Sequence, residues 1–505
     1  MAVPADPAIE EEEEEEHSGP THHPSAPSHE FFDLSTTVDP SYIISLIRKL
    51  LPSDSASEEG DAPPSASAAN GEHIESSMKK SENMDVDVSS EFSDRRRECQ
   101  GRGDDGFGVR NSGVSVGEDP WEECGCVLWD LAASRTHAEL MVENLILEVL
   151  LANLGVCNSM RVTEISIGII GNLACHEVPM KHIVSTKGLI DTIVDKLFLD
   201  DPQGLCETCR LLTVGLQSGE SITWAEALQS EHILCQILWI AENTLNLQLL
   251  EKSVGLILAI LEGQAKVVDA LLPPLMKLGL ASILINLLTF EISKLTSERI
   301  PERYSVLDLI LRAIEAISII DDHSQEICSS EELFRLICDL VKFPDKVEVG
   351  NCCVTAGVLL ANILSDVADH ASEVSQDSCL LAGLLDIFPF ASDDLEATNA
   401  IWNAIARILV RIRETEMSPP SVCNYVSVLV GRIDLIEDEL LNQQESLSSP
   451  GSTADAINTS LRRIISILNQ WTAAKENTES NGNAEVLVSE ADINKLLNCC
   501  RKFLM

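Results

Sequence analysis

Two cysteines three residues apart, Cys206 and Cys209, form the part of this sequence that most resembles a metal site. A zinc site needs four ligands, which proteins normally supply as two such pairs. No second pair with this spacing lies in a loop context, because the other close cysteines are adjacent or two residues apart. On a helix, Cys206 and Cys209 would share one face and pack as small apolar residues. We therefore favour core packing, and keep a metal- or thiol-dependent enzyme as the alternative.

Other chemical motifs lack the context that they need. The segment from Gly101 to Gly106 has the glycine spacing of a dinucleotide-binding loop. Such a loop holds phosphate only between a strand and a helix, and neither pattern flanks it. The histidines form no Ser/His/Asp or Cys/His arrangement that spacing alone could support. We therefore predict that the protein is not an enzyme: it has no catalytic residue, metal ligand, cofactor or small-molecule substrate.

The residues that recur along the chain are apolar and belong to helices. The stretch from Arg161 to His176 is apolar on nearly every side, which predicts a helix buried between other helices. Its small residues Gly168, Gly171 and Ala174 are three apart, so we expect a flat stripe where a neighbouring backbone comes close. Variants of the stretch align with Asn172 at positions 172, 216, 260, 317, 362, 408 and 467.

Four of the six intervals between these positions are 44 to 46 residues, which is the period of armadillo and HEAT units. The sequence therefore predicts an all-α fold, an armadillo/HEAT-type right-handed α-solenoid over residues 119–505. A helical bundle without repeats is the alternative. Polar composition predicts loop insertions in the repeat domain near residues 289–302, 365–377, 414–421, 442–455 and 475–483.

Residues 1–118 have the composition of a disordered acidic region, with a glutamate run and Ser/Ala/Pro tracts. A short amphipathic helix is predicted within it at residues 41–51. An isolated helix of this length is marginal in water, so we expect it to dock onto the main domain or, alternatively, to recruit a partner. Three arginines, Arg95 to Arg97, are either a nuclear import signal or a local balance of charge.

The formal net charge is -46, from 81 acidic and 35 basic residues. A charge of this sign repels nucleic acid and anionic membranes, and it favours basic protein partners. No stretch reaches the roughly 18 uncharged apolar residues that a membrane span requires, and no secretory signal opens the sequence. We therefore expect the sixteen cysteines to be reduced, in the nucleus or the cytoplasm.

Two segments carry a family resemblance: Cys124-Gly-Cys-Val-Leu-Trp-Asp-Leu131, and the run from Ile165 to Cys175. They resemble the serum amyloid A-like (SAAL) family, most specifically in the Trp129-Asp130 pair and in Gly-Ile-Ile-Gly-Asn-Leu-Ala-Cys. The resemblance implies an armadillo-type helical fold, nuclear placement and a role in promoting cell proliferation. It implies no catalytic residue.

Armadillo proteins that hold extended peptides use a ladder of asparagines on successive third helices. Here Asn172 and Asn362 stand at ladder positions, whereas positions 216, 260 and 317 carry Leu, Ile and Ile. These two asparagines are our candidates for a partner-binding groove, and a hydrogen bond from Asn172 to a neighbouring helix end is the alternative. The predicted function is a protein-interaction scaffold that binds basic or helical segments. A nucleocytoplasmic transport adaptor is a second interpretation.

Overall fold

A computed structural model describes residues 38–51, 120–157, 159–412, 419–446, 453–478 and 489–504. Within these ranges the chain is helical and contains no strand, so the predicted all-α fold is confirmed. The remainder of the predicted acidic region lies outside the described residues, and so do the segment from Gly101 to Gly106 and the arginines at 95–97.

In the described part of the chain, eight helices form a continuous row in which each helix packs against the next. We call this the third-helix row. Its members are α2 (Pro120–Ala132), α5 (Met160–Ala174), α8 (Pro202–Gln217), α11 (Leu247–Leu261), α14 (Tyr304–Ser318), α17 (Gly350–Asp366), α21 (Leu395–Arg411) and α24 (Thr453–Thr478).

A second row runs beside the first. Its members are α4 (Ile146–Val156), α7 (Leu189–Asp195), α10 (Glu231–Asn243), α13 (Leu280–Ser297), α16 (Glu331–Val341), α19 (Ser378–Leu385), α22 (Pro419–Val430) and α25 (Glu490–Phe503). The remaining helices are α1 (Pro40–Lys49), α3 (Arg135–Glu143), α6 (Glu177–Ser185), α9 (Ser221–Leu228), α12 (Ala265–Lys277), α15 (Asp321–Cys328), α18 (Ala368–Glu373), α20 (Phe388–Ala391) and α23 (Ile433–Ser446). Units of three helices that contact their neighbours are the armadillo-type stack that the period predicts.

Local sequence signals begin the helices. Several members of the third-helix row start at a polar residue whose side chain accepts a hydrogen bond from the first turn, which satisfies an otherwise unpaired backbone N–H. These N-cap residues are Ser159, Asp201, Asn246 and Asp394. Helices α7 and α13 each follow a glycine with a positive φ, 78° at Gly188 and 93° at Gly279, where a side chain would be strained.

Helix α5 occupies the centre of its unit, as the apolar stretch predicts. Ile165, Ile169 and Leu173 are all fully buried. Cys206 and Cys209 in α8 are also buried, which confirms that they pack in the core. Burial raises the pKa of Cys206 to about 11 and that of Cys209 to about 12, so both remain thiols at neutral pH.

Helix α1 docks onto α2 and α3 at the N-terminal end of the stack. Its Ile43 and Leu50 side chains are fully buried, and the Leu50 carbonyl accepts hydrogen bonds from Asn153 Nδ2 at 2.8 Å and from Trp121 Nε1 at 3.2 Å. The amphipathic segment predicted at residues 41–51 therefore covers the end of the repeat domain.

Several predicted loops are helical, and the prediction was wrong there. Helix α13 continues through Ser297, because Leu288, Ile292 and Leu295 are buried at helical spacing. Residues 365–377 contain the end of α17, all of α18 and a short 3₁₀ segment, with Ala371 buried. The other three windows overlap the ends of α22, α23 and α24, and their remainders at 414–418, 447–452 and 479–483 lie outside the described residues. Polar residues in these windows can belong to helices, as Glu291 of α13 does, and composition alone does not distinguish such a helix from a loop.

One described helix, Leu280–Ser297, is long and apolar enough to cross a membrane by length and composition, although half of it is buried inside the protein. It carries the charged residues Glu291 and Lys294. The bent pair Gly350–Asp366 and Ala368–Gln376, with a 111° angle, is the second stretch that passes this test. Helix α13 belongs to the second row and α17 to the third-helix row, and α18 packs against α17 and α21.

Candidate partner-binding surface

Asn172 connects three members of the third-helix row. Its Nδ2 donates a hydrogen bond to the Trp129 carbonyl of α2 at 2.9 Å, and its Oδ1 accepts one from Arg210 Nη1 of α8 at 3.2 Å. The side chain is half-buried. The structure thus shows the predicted bond to a neighbouring helix end, and partner binding by Asn172 stays a prediction.

The glycines of α5 make room for flat side chains, not for a neighbouring backbone as we expected. A Cβ added at Gly168 would lie 2.2 Å from Trp129 Cζ2, and one added at Gly171 would lie 2.6 Å from Arg210 Nη2. Arg210 also donates to the Gly168 carbonyl at 3.2 Å and pairs with Glu207 at 2.6 Å. An indole and a guanidinium from the two adjacent helices therefore cover this part of α5.

Asn362 makes a similar contact further along the row. Its Nδ2 donates to Ser318 Oγ, at the end of α14, at 2.9 Å. Helices α8, α11 and α14 lie between α5 and α17 in the row, so the structure does not bring Asn362 together with Asn172. Each asparagine bonds to the preceding third helix, and the two do not form one compact site.

Between these two asparagines, positions 216, 260 and 317 place no side chain at the surface. Leu216, Ile260 and Ile317 are at most 2% exposed and point into the core, whereas Asn172 and Asn362 are half-buried at the surface. Successive side chains on a helix point about 100° apart. A residue next to one of these positions can therefore lie at the surface while the position itself lies in the core. The residues at the surface in this region are charged.

We call the surface formed by the charged side chains of α11 and α14 the acidic face. It includes Glu251, Lys252, Glu262 and Arg312, together with Asp308 and Glu315. Lys252 pairs with Glu251 at 3.2 Å, and Arg312 pairs with Glu262 at 2.7 Å. The Ser305 hydroxyl donates to Glu251 at 3.4 Å. The two cations of the acidic face are thus already held by carboxylates.

Two further carboxylates on α14 flank Arg312, namely Asp308 one turn before it and Glu315 one turn after it. Both are half-buried, and their side chains have no hydrogen bond or ion pair among the described residues. Burial raises the pKa of Asp308 and of Glu315, and Arg312 only partly opposes this effect. The acidic face therefore has two partly desolvated carboxylates that form no ion pair among the described residues.

This surface offers electrostatic binding and shows no catalytic arrangement. Among the described residues, no group of three or more His, Cys, Asp or Glu side chains is placed to hold a metal ion. The unpaired carboxylates can attract cationic groups, and the half-buried Trp129 and Arg210 can pack on a chain laid across the row. The net charge of the sequence predicts a basic partner. It does not show that Asp308 and Glu315 are the carboxylates available to bind one.

Comparisons with known proteins give partial matches. No family profile matches the chain. Protein saal1 of Danio rerio is 31% identical over 163 residues, which cover 32% of this chain and 34% of the relative. Protein SAAL1 of Homo sapiens is 32% identical over 130 residues, 25% of this chain and 27% of the relative. The chain thus matches only about a third of the length of these curated relatives.

The similar solved structures include engineered and designed proteins. An engineered protein matches 77% of this chain and 86% of its own, with a TM-score of 0.49 and 16% identity. A designed armadillo repeat protein matches 48% of this chain and 94% of its own, with a TM-score of 0.38 and 16% identity. Over the matched residues the chain is similar to SAAL proteins, and its own stacked three-helix units form a helical repeat fold.

Proposed function

We propose that this protein is a non-enzymatic scaffold that binds a basic segment of another protein across the acidic face. The observation that carries the proposal is the pair of half-buried carboxylates, Asp308 and Glu315, which form no hydrogen bond or ion pair among the described residues. A partly desolvated carboxylate is stabilised when a cation approaches it, because the cation replaces lost hydration with a direct attraction. Lysine or arginine side chains supply that cation.

The overall charge supports the same partner. With a net charge of -46, the protein attracts basic segments over long range and repels nucleic acid. The third-helix row gives a bound chain a continuous surface, because successive third helices contact each other along the whole stack. A segment lying across α11 and α14 would meet all of the acidic face.

The test is fluorescence anisotropy with a labelled lysine-rich peptide, compared with a peptide in which glutamine replaces each lysine. We expect binding of the lysine peptide alone, with an affinity that falls as ionic strength rises. The double variant Asp308→Asn with Glu315→Gln should weaken binding at least tenfold, since hydrogen bonds to charged groups contribute about 1.5–3 kcal/mol each.

The matched control removes two exposed carboxylates elsewhere, Asp191→Asn with Glu242→Gln. This variant changes the net charge by the same amount and leaves the acidic face intact. If the two double variants lose the same amount of affinity, the overall charge of the protein explains the binding and the acidic face does not. If the lysine peptide does not bind at all, the proposal is contradicted.

We also propose that this binding takes place in the nucleus and supports cell growth, as the resemblance to SAAL proteins suggests. The arginines Arg95 to Arg97 support nuclear entry because they form a dense basic run in an acidic region. Imaging of the tagged full-length protein and of a variant with three alanines at these positions would test the import signal. Unchanged nuclear accumulation of the variant would argue against it.

A further inference from the structure

A cavity of about 370 Å³ opens between the first turns of α14 and α17. Its lining combines aromatic, aliphatic and acidic side chains: Tyr304, Asp308, Val347, Glu348 and Phe390. Its volume is near the lower end of the range for small-ligand sites, about 300–1,000 Å³. The cavity is therefore large enough for one long side chain and too small for a folded segment.

The apolar wall of the cavity is already in place. Phe390 of α20 lies against Gly350, where an added Cβ would be 2.6 Å from the ring. Phe390 is still 38% exposed, and Val347 is 79% exposed. An aliphatic chain lying between these two side chains would remove apolar surface from water on both sides.

The acidic part of the cavity has no cation of its own. Asp308 has no partner among the described residues, and Glu348 accepts a hydrogen bond from the Tyr304 hydroxyl at 3.2 Å. The nearby arginines are already paired: Arg299 with Asp345 at 3.1 Å, Arg303 with Glu291 at 2.5 Å, and Arg312 with Glu262 at 2.7 Å. The cavity thus presents two carboxylates whose charge no adjacent arginine neutralises directly.

This combination selects the chemistry of the ligand. A long aliphatic stem that ends in a cation fits an apolar wall with carboxylates at its end, as lysine and arginine side chains do. The faces of Phe390 and Tyr304 add a favourable electrostatic contact to a cation. An anionic or purely apolar side chain would bring no further positive charge to Asp308, which has only the partial attraction of Arg312.

We infer that this cavity is a specificity pocket that receives one lysine or arginine side chain of the bound partner. The inference rests on the proposed function and adds to it a defined position in the basic segment. A basic segment would then bind in one register, set by the residue that enters the cavity. The rest of the acidic face would attract its other cations with little preference for position.

The experiment is a positional scan of the lysine-rich peptide, replacing one lysine at a time with norleucine, against the wild-type protein and Asp308→Asn. Norleucine keeps the aliphatic chain and removes the charge. We expect one position at which the norleucine replacement weakens binding to the wild-type protein about tenfold. The same replacement should hardly change binding to Asp308→Asn, because the peptide change and the protein change remove the same contact.

A second pair of variants tests the apolar wall. Phe390→Ala should weaken the lysine peptide severalfold, whereas Phe198→Ala, which removes a ring of similar exposure far along the chain, should not. Circular dichroism checks that each variant is folded. If Phe390→Ala disturbs the packing, the positional scan with Asp308→Asn still tests the pocket.

The outcomes separate the two proposals. If the peptide binds but every lysine contributes equally in both proteins, the pocket is overturned and the acidic face stands. If the lysine peptide does not bind at all, both are overturned.

Discussion

The side-chain amide of Asn153 donates a hydrogen bond at 2.8 Å to the carbonyl of Leu50, which lies 103 residues earlier in the chain. Because Trp121 Nε1 donates to the same oxygen, two contacts with the repeat domain hold the end of α1. Helix α1 covers apolar surface that the first unit of the stack would otherwise expose. It therefore acts as the N-terminal cap that a stack of repeats requires.

Disrupting this cap should destabilise the start of the stack. Leu46 is 3% exposed, so Leu46→Ser should reduce the free energy of unfolding of this end by about 2–4 kcal/mol. Leu51, at 54% exposed, provides the matched control Leu51→Ser, which should have little effect. Hydrogen exchange measured by mass spectrometry should show faster exchange in α2 and α3 for Leu46→Ser only. Equal protection in both variants would show that α1 is not part of the folded end.

Two glycines in the third-helix row should respond in opposite ways to alanine. A methyl group at Gly168 collides with the Trp129 indole, so Gly168→Ala should destabilise the protein by about 1–3 kcal/mol. Gly255 has no atom within 4 Å of an added Cβ, so Gly255→Ala should stabilise it by up to about 1 kcal/mol. Chemical denaturation measures both changes, and an unaltered midpoint for Gly168→Ala would contradict the packing of Trp129.

Asn172 should contribute to packing whether or not a partner is bound. Asn172→Ala leaves the Trp129 carbonyl without its donor and removes the acceptor for Arg210. We expect a loss of about 1–2 kcal/mol in the free energy of unfolding. Peptide affinity, measured on the same variant, shows whether Asn172 also binds a partner: an affinity equal to wild type would assign it to packing alone.

The carboxylates of the acidic face should make stability and binding depend on pH in opposite directions. Burial raises the pKa of Asp308 and Glu315 above their ordinary values of 3.8 and 4.5, so the folded state binds more protons than the unfolded state. The stability of the free protein should therefore fall as pH rises through the window above about 4, and remain lower at neutral pH. Affinity for a lysine peptide should rise over the same window as the carboxylates ionise.

The double variant Asp308→Asn with Glu315→Gln separates these effects. It should unfold at a temperature about 1–2 °C higher than wild type at neutral pH, while it binds the peptide more weakly. Calorimetry at pH 4 and at pH 7 measures the first effect. A variant that is less stable than wild type at both pH values would show that these carboxylates stabilise the fold.

The cysteines should divide into two classes of reactivity. The thiolate is the reactive form, and burial raises the pKa of Cys209, Cys338 and Cys352 to about 12. Among the described residues, Cys175, Cys235 and Cys379 are exposed. Labelling with a thiol reagent at mildly alkaline pH, followed by peptide mapping, should modify the exposed class quickly and the buried class only after unfolding. Fast labelling of Cys209 in the folded protein would support thiol chemistry.

The sequence by itself determined the repeating helices and the role of the most suggestive cysteines. Apolar spacing is a local property, so the buried face of α5 and the packing of Cys206 could be predicted without knowing their neighbours. Helix caps such as Asp201 and the glycine turn at Gly188 are also local, since each acts within a few residues of its own position.

Only the tertiary structure decided which side chains meet across units. The sequence showed that Gly168 is small but not that Trp129 covers it, because that contact joins different helices. The exact exposure of Leu216 and Ile317 also had to come from the structure, since one helical step turns a side chain by about 100°. The unpaired carboxylates depend on where every nearby arginine points, and composition gives only their total. That is why the sequence could predict a basic partner, and only the packed helices could single out Asp308 as a residue at which we propose that it binds.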